Sequence, residues 1–99
     1  MRGSHSISIL QGKDKYCFIT GRTYNLHKHH IYMSSNRAIS DKHGFWVWLT
    51  GEYHNQSNKG VHFNRELDLM LKELCQRKYE ESHTREEFLT LIGRSYLET

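Results

Sequence analysis

The sequence contains no proline, only two cysteines and no apolar run long enough to span a bilayer. Each absence excludes something. Without proline there is no proline-rich linker, and no repeat or low-complexity tract divides the chain, so residues 6–99 read as a single domain. Its 99 residues place it at the small end of chains that bury a self-sufficient core. With neither a membrane span nor a signal-peptide pattern, the expected setting is soluble and cytoplasmic, with no membrane partner. Cys17 and Cys75 are far apart and neither belongs to a Cys-x-x-Cys pair. A self-contained zinc finger is therefore excluded, and free thiols are expected rather than a disulfide. Residues 1–5, Met-Arg-Gly-Ser-His, read as an expression leader and are left out of the fold argument.

What is present is histidine. There are eight, and His27, His29, His30, His43, His54 and His62 crowd the middle of the chain. The net charge is +3, from 14 basic and 11 acidic residues. Lys13, Lys15, Arg22, Lys28, Arg37 and Lys42 face only Asp14 and Asp41 over the same stretch. A basic half around a histidine cluster suits a phosphate-bearing partner, and a solvated surface would look much the same.

The apolar pattern predicts an α+β fold. Residues 6–11 alternate weakly, and Tyr16-Cys17-Phe18-Ile19 is a compact run closed by a turn at Thr20-Gly21. Tyr24 to Tyr32 alternates as a strand, with His27, His29 and Ile31 on one face and Leu26, Lys28 and His30 on the other. Met33 to Gly44 reads as a loop with at most a helical turn near Ser35–Ile39. Phe45 to Thr50 is a strand whose consecutive apolar residues imply cover on both faces. A broad loop joins the two strands, so an antiparallel pair is expected. A short helix over Glu52–Lys59 should follow, ended by Gly60. A longer helix is predicted over Arg65–Ser82, capped by Asn64, with Leu67, Met70, Leu71, Leu74 and Tyr79 on its apolar side and Cys75 buried beside them. Thr84-Arg85-Glu86-Glu87 has the form of a capping box, opening a last helix with Phe88, Leu91 and Ile92 inward and Gly93 at its end.

Adjacent histidines on a strand cannot both point at one ion, so His29 and His30 must divide the labour. One can ligate a cation while the other, neutral near pH 7, serves as a general base. A helix following two antiparallel strands would return His54 to the first strand, and Asn58 would share its helical face. Phosphodiester hydrolysis needs this pairing of a base for the attacking water with a cation for the phosphate charge.

With those residues in view, the chain resembles a family. His29-His30-Ile31, answered by Trp48-Leu49-Thr50-Gly51-Glu52-Tyr53-His54-Asn55, is similar to the two halves of the HNH endonuclease (His-Me finger, ββα-metal) motif. The likeness covers roughly residues 16–62 and is nearest to small HNH proteins of phages and prophages. It implies a ββα-metal ribbon plus short helix, followed here by two C-terminal helices. It also implies DNA cleavage to 3′-hydroxyl and 5′-phosphate ends, with His30 as base and one divalent ion on His29 and His54. Asn58 falls where some members place one more ligand. Histidine nitrogens favour Zn²⁺ or Ni²⁺, and water and phosphate would complete a Mg²⁺ or Mn²⁺ shell.

The departures are specific. Many members carry a four-cysteine zinc knuckle, of which only Cys17 remains, with Thr20, Thr50 and Tyr53 at the other positions. Packing by Tyr16, Phe18 and Tyr53 is expected to replace it. The middle asparagine is also missing, since Phe45 stands in its place, and Asn36 is the substitute within reach. Asn55 and His62 are further candidates for a supporting or ligating role, while His27, His43 and His83 read as surface or packing residues. Lys28, Arg37, Lys42 and Lys59 are candidates for DNA backbone contacts. A double-strand cut would need a second site, as in a homodimer through the C-terminal helices. The alternative expectation is a degenerate module of this type that binds nucleic acid or protein without cleaving.

Overall fold

A computed structural model describes residues 6–56 and 64–97, apart from the side chains of Asn55 and Gln56. The chain is α+β. Strand β1 (Leu26–His30), helix α1 (Arg37–His43) and strand β2 (Trp46–Thr50) come first, then helices α2 (Arg65–Tyr79) and α3 (Arg85–Ile92). A 3-10 turn at Ser34–Asn36 leads into α1, and a π-helical turn at Glu52–Gln56 follows β2.

The ribbon is antiparallel, pairing Leu26 with Thr50, Lys28 with Trp48 and His30 with Trp46. β1 is shorter than the alternation suggested. Asn25 sits at φ 55 before it, and beyond His30 the chain turns inward, burying Ile31 and Tyr32. Trp46 and Trp48 share the outer face, where Lys28 lies 4.3 Å over the first ring and Lys15 4.5 Å over the second. Lysine stems and the N-terminal segment thus cover the second face of β2. That segment is stitched down by polar bonds: Ser8 Oγ donates to Trp46 O, Ile9 N to Gly44 O, and Trp48 N to Gln11 Oε1.

The stretch between the strands differs from the expected loop. α1 has two turns and buries only Ser40, whose hydroxyl donates to Tyr32 O and accepts from Tyr32 N. Gly44 ends it in the left-handed conformation, φ 77, and a Cβ there would lie 2.1 Å from the backbone oxygen of Ile7. Neither condition suits an L side chain. Gly44→Ala is therefore expected to lower stability by at least about 2 kcal/mol, combining strain with a backbone clash. Urea denaturation measures this, and a midpoint equal to wild type would count against the close approach.

The core is aromatic. Phe45 meets Tyr32, Tyr79 and Phe88 at ring separations of 5.6, 5.4 and 6.3 Å, joining the ribbon to α2 and α3. Asn64 caps α2 by accepting from Leu67 N, and Thr84 and Glu87 form the capping box of α3. α2 stops at Tyr79, short of Ser82, because Tyr79 O accepts from both Ser82 N and His83 N in a closing turn. Its buried stripe is Leu71, Cys75, Gln76 and Tyr79, whereas Met70 and Leu74 face outward. Both cysteines are free and buried, and burial pushes the Cys75 thiol up to about 12. No helix among the described residues is long and apolar enough to cross a membrane.

Candidate functional site

The period of two in β1 sends His29 and His30 to opposite faces, and the two faces meet different partners. His29 turns inward beside Val47 and is 1% exposed. The π-helical turn after Thr50 folds back over β1, setting the His54 ring 5.5 Å from that of His29. His27, two residues earlier on the same face, brings Nδ1 to 3.3 Å from Nδ1 of His54. A hydrogen bond between those nitrogens requires a proton on one and a lone pair on the other, which ties the tautomers of the pair together. His27, expected as a surface or packing residue, belongs to this cluster, and its i, i+2 relation to His29 is the signal for it in the sequence.

These imidazoles are borderline donors of the kind that transition ions take. Among the described residues, no group of three or more His, Cys, Asp or Glu side chains is arranged to hold a metal ion. Of the expected donors, His29 and His54 are the two that the described residues bring together, with ring centroids 5.5 Å apart. Asn58, Lys59, His62 and the Asn55 side chain lie outside the described residues.

On the other face, His30 Nε2 lies 3.1 Å from Asp41 Oδ1, and Lys28 Nζ lies 2.8 Å from the same oxygen. The Lys28 contact, then that of His30, holds the Asp41 carboxyl below its ordinary range. An ionised carboxylate can only accept, so Nε2 of His30 carries the proton. In the neutral ring the lone pair is then on Nδ1. This is the arrangement of a base oriented by a third group. As an ion pair the cluster is half-exposed and contributes little to stability; its effect is on orientation.

Asp41 was not singled out from the sequence because it depends on α1. Once that helix exists, Arg37, Ala38 and Asp41 share a face and line a cleft of about 600 Å³ together with His30, Ser34 and Ser35. The other proposed backbone contacts separate here. Lys28 is engaged by Asp41 and Trp46, and Lys42 stands exposed on α1. Asn36 is directed away from the histidines, its Nδ2 donating to Ile92 O at 3.0 Å, so it fastens the loop to α3.

Cys17 lies in the buried core, and its sulfur also has polar partners. Its Sγ accepts from Thr20 N and Thr50 N, each at 3.4 Å, and lies 3.9 Å from Thr50 Oγ1. Burial pushes this thiol up, but the hydrogen bonds from Thr20, Thr50 and Ile19 outweigh it and leave the thiol below its ordinary value. Phe18 and Tyr53 pack partly buried against the core nearby. No protein-family model, curated protein or solved structure matches this chain.

Proposed function

We propose that this protein is a metal-dependent endonuclease of the HNH type, hydrolysing DNA phosphodiester bonds with His30 as general base. The observation that carries the reading is the divergence of the adjacent histidines. His29 meets His54, while His30 is held by Asp41 and both line a cleft. The ribbon, the returning turn after β2, and the meeting of Cys17 with Thr20 and Thr50 also support it. Each is an element that the resemblance to the motif implies.

Asp41 holds the His30 ring by its Nε2 proton, leaving Nδ1 to take the proton of the attacking water. The water oxygen bonds to phosphorus as the P–O3′ bond breaks in line. The products are a 5′-phosphate and a 3′-oxygen that is protonated from solvent. A divalent ion on His29 and His54 supplies charge neutralisation at the phosphate when bound. Lys42, Arg37 and Lys59 are the proposed contacts to the DNA backbone.

One observation favours a binding module that does not cleave: His27 already engages Nδ1 of His54, competing with use of that ring as a ligand. Supercoiled plasmid incubated with Mg²⁺, Mn²⁺, Ni²⁺ or Zn²⁺, with and without EDTA, separates the two readings. Cleavage that EDTA abolishes is expected. His29→Ala and His54→Ala should each weaken Mn²⁺ binding by at least about tenfold, as loss of an inner ligand does, while His30→Ala leaves it intact. DNA binding without cleavage under every ion would leave the binding module as the better account.

A further inference from the structure

We infer that the cleft beside His30 is a seat for an internal phosphodiester of a nucleic-acid strand, anchored by Arg37 and able to bind without metal. This rests on the proposed function and specifies which group of the substrate the His30 face holds. The cleft has a volume of about 600 Å³, large enough for a phosphate with part of its two sugars, and it opens to solvent.

Its lining is made for an anion. The Arg37 side chain is exposed and makes no ion pair or hydrogen bond with any described residue, while its backbone N–H donates to Ser34 O. Its guanidinium presents a planar fork of donors matched to two phosphate oxygens. Ser34 and Ser35 are exposed beside it and add two hydroxyls. The one carboxylate present, Asp41, does not repel the ligand strongly. Lys28 at 2.8 Å matches its charge, and His30 takes a contact to the same oxygen. Arg37 thus remains as the uncompensated charge of the cluster. Of the proposed backbone contacts among the described residues, Lys28, Arg37 and Lys42, it alone lines the cleft that His30 lines. A phosphate gripped there lies beside the base, so Arg37 is assigned the role of positioning the strand rather than merely attracting it.

The test is a titration of full-length protein in EDTA, followed by NMR, with a dinucleotide whose only phosphate is an internal diester, and separately with inorganic phosphate. The dinucleotide should shift the His30 ring signals and the Ser34 and Ser35 amides saturably. Arg37→Ala should weaken this at least about tenfold, the scale of a lost bidentate charged contact, and Arg37→Lys should restore only part of it. Lys78→Ala removes the same charge from α2, where Lys78 pairs with Glu81, and should leave the titration unchanged. Equal loss in the Lys78 variant would reduce the effect to general electrostatics and overturn the inference. So would shifts produced by inorganic phosphate but not by the diester, or no shift at these residues. Shifts without plasmid cleavage would retain the cleft and reject the nuclease; cleavage without shifts would do the reverse.

Discussion

His30→Ala is expected to slow plasmid cleavage at least about a hundredfold, the usual scale for losing a general base, while metal and DNA binding persist. The expectation follows from geometry on both faces of β1. The side chain lies opposite His29, so its removal takes nothing from the His29–His54 contact. It accounts for one of two contacts to the Asp41 carboxylate, and Lys28 keeps the other. The ribbon should fold as before, because Ile31, Val47 and Leu49 carry its buried face. Asp41→Asn gives the graded companion: an amide can offer its NH₂ group to Nε2, so the ring can settle in the wrong tautomer. Its cleavage rate should fall between wild type and His30→Ala. Single-turnover rates with DNA in excess of its dissociation constant measure the chemical step directly. A His30→Ala rate near wild type, with metal affinity reduced instead, would move His30 from base to ligand.

The largest effect on folding is expected at Phe45. Phe45→Ala should cost about 3–5 kcal/mol, the range for emptying a large aromatic site in a close-packed core. Phe45 is fully buried and meets rings from Tyr32, Tyr79 and Phe88. These come from three separate parts of the chain, so collapse around the cavity would have to move α2 and α3 against the ribbon. The loss is a large share of the 5–15 kcal/mol typical of a small domain. Phe45→Leu keeps much of the volume and should lose far less. Thermal and urea denaturation give both values, and near-equal stability of the two variants would show that the ring contacts contribute little beyond volume.

Legibility in the sequence followed the strength of local signals. β2 was plain because its residues are apolar at consecutive positions and both faces prove to be covered. α3 was plain because Thr84 and Glu87 write a capping box. α1 was not, because it is short, buries only Ser40, and is held by bonds to Tyr32 that no local pattern announces. Met70 and Leu74 were assigned inward on periodicity, but the tertiary packing turns α2 so that Leu71, Cys75 and Gln76 take that side. The site divides the same way. The opposed faces of His29 and His30 follow from pleating alone. The partners of His30 required α1, so Asp41 and the cleft stayed hidden behind one misread helix.

The connection between β1 and β2 has a further consequence for modularity. In a plain hairpin the turn is interchangeable, and a two-residue link would serve the same register. Here the link carries Arg37 and Asp41, and its end at Gly44 is fixed against Ile7. The half of the site around His30 is therefore encoded in one uninterrupted stretch, 28–41, with closely spaced contacts. The half around His29 depends on His54, recruited across the whole of β2. A graft of residues 6–50 onto another scaffold would carry the residues of the first half together with the segment that meets Gly44, and leave the second behind. Shortening the same link would erase the first half while leaving the strands free to pair.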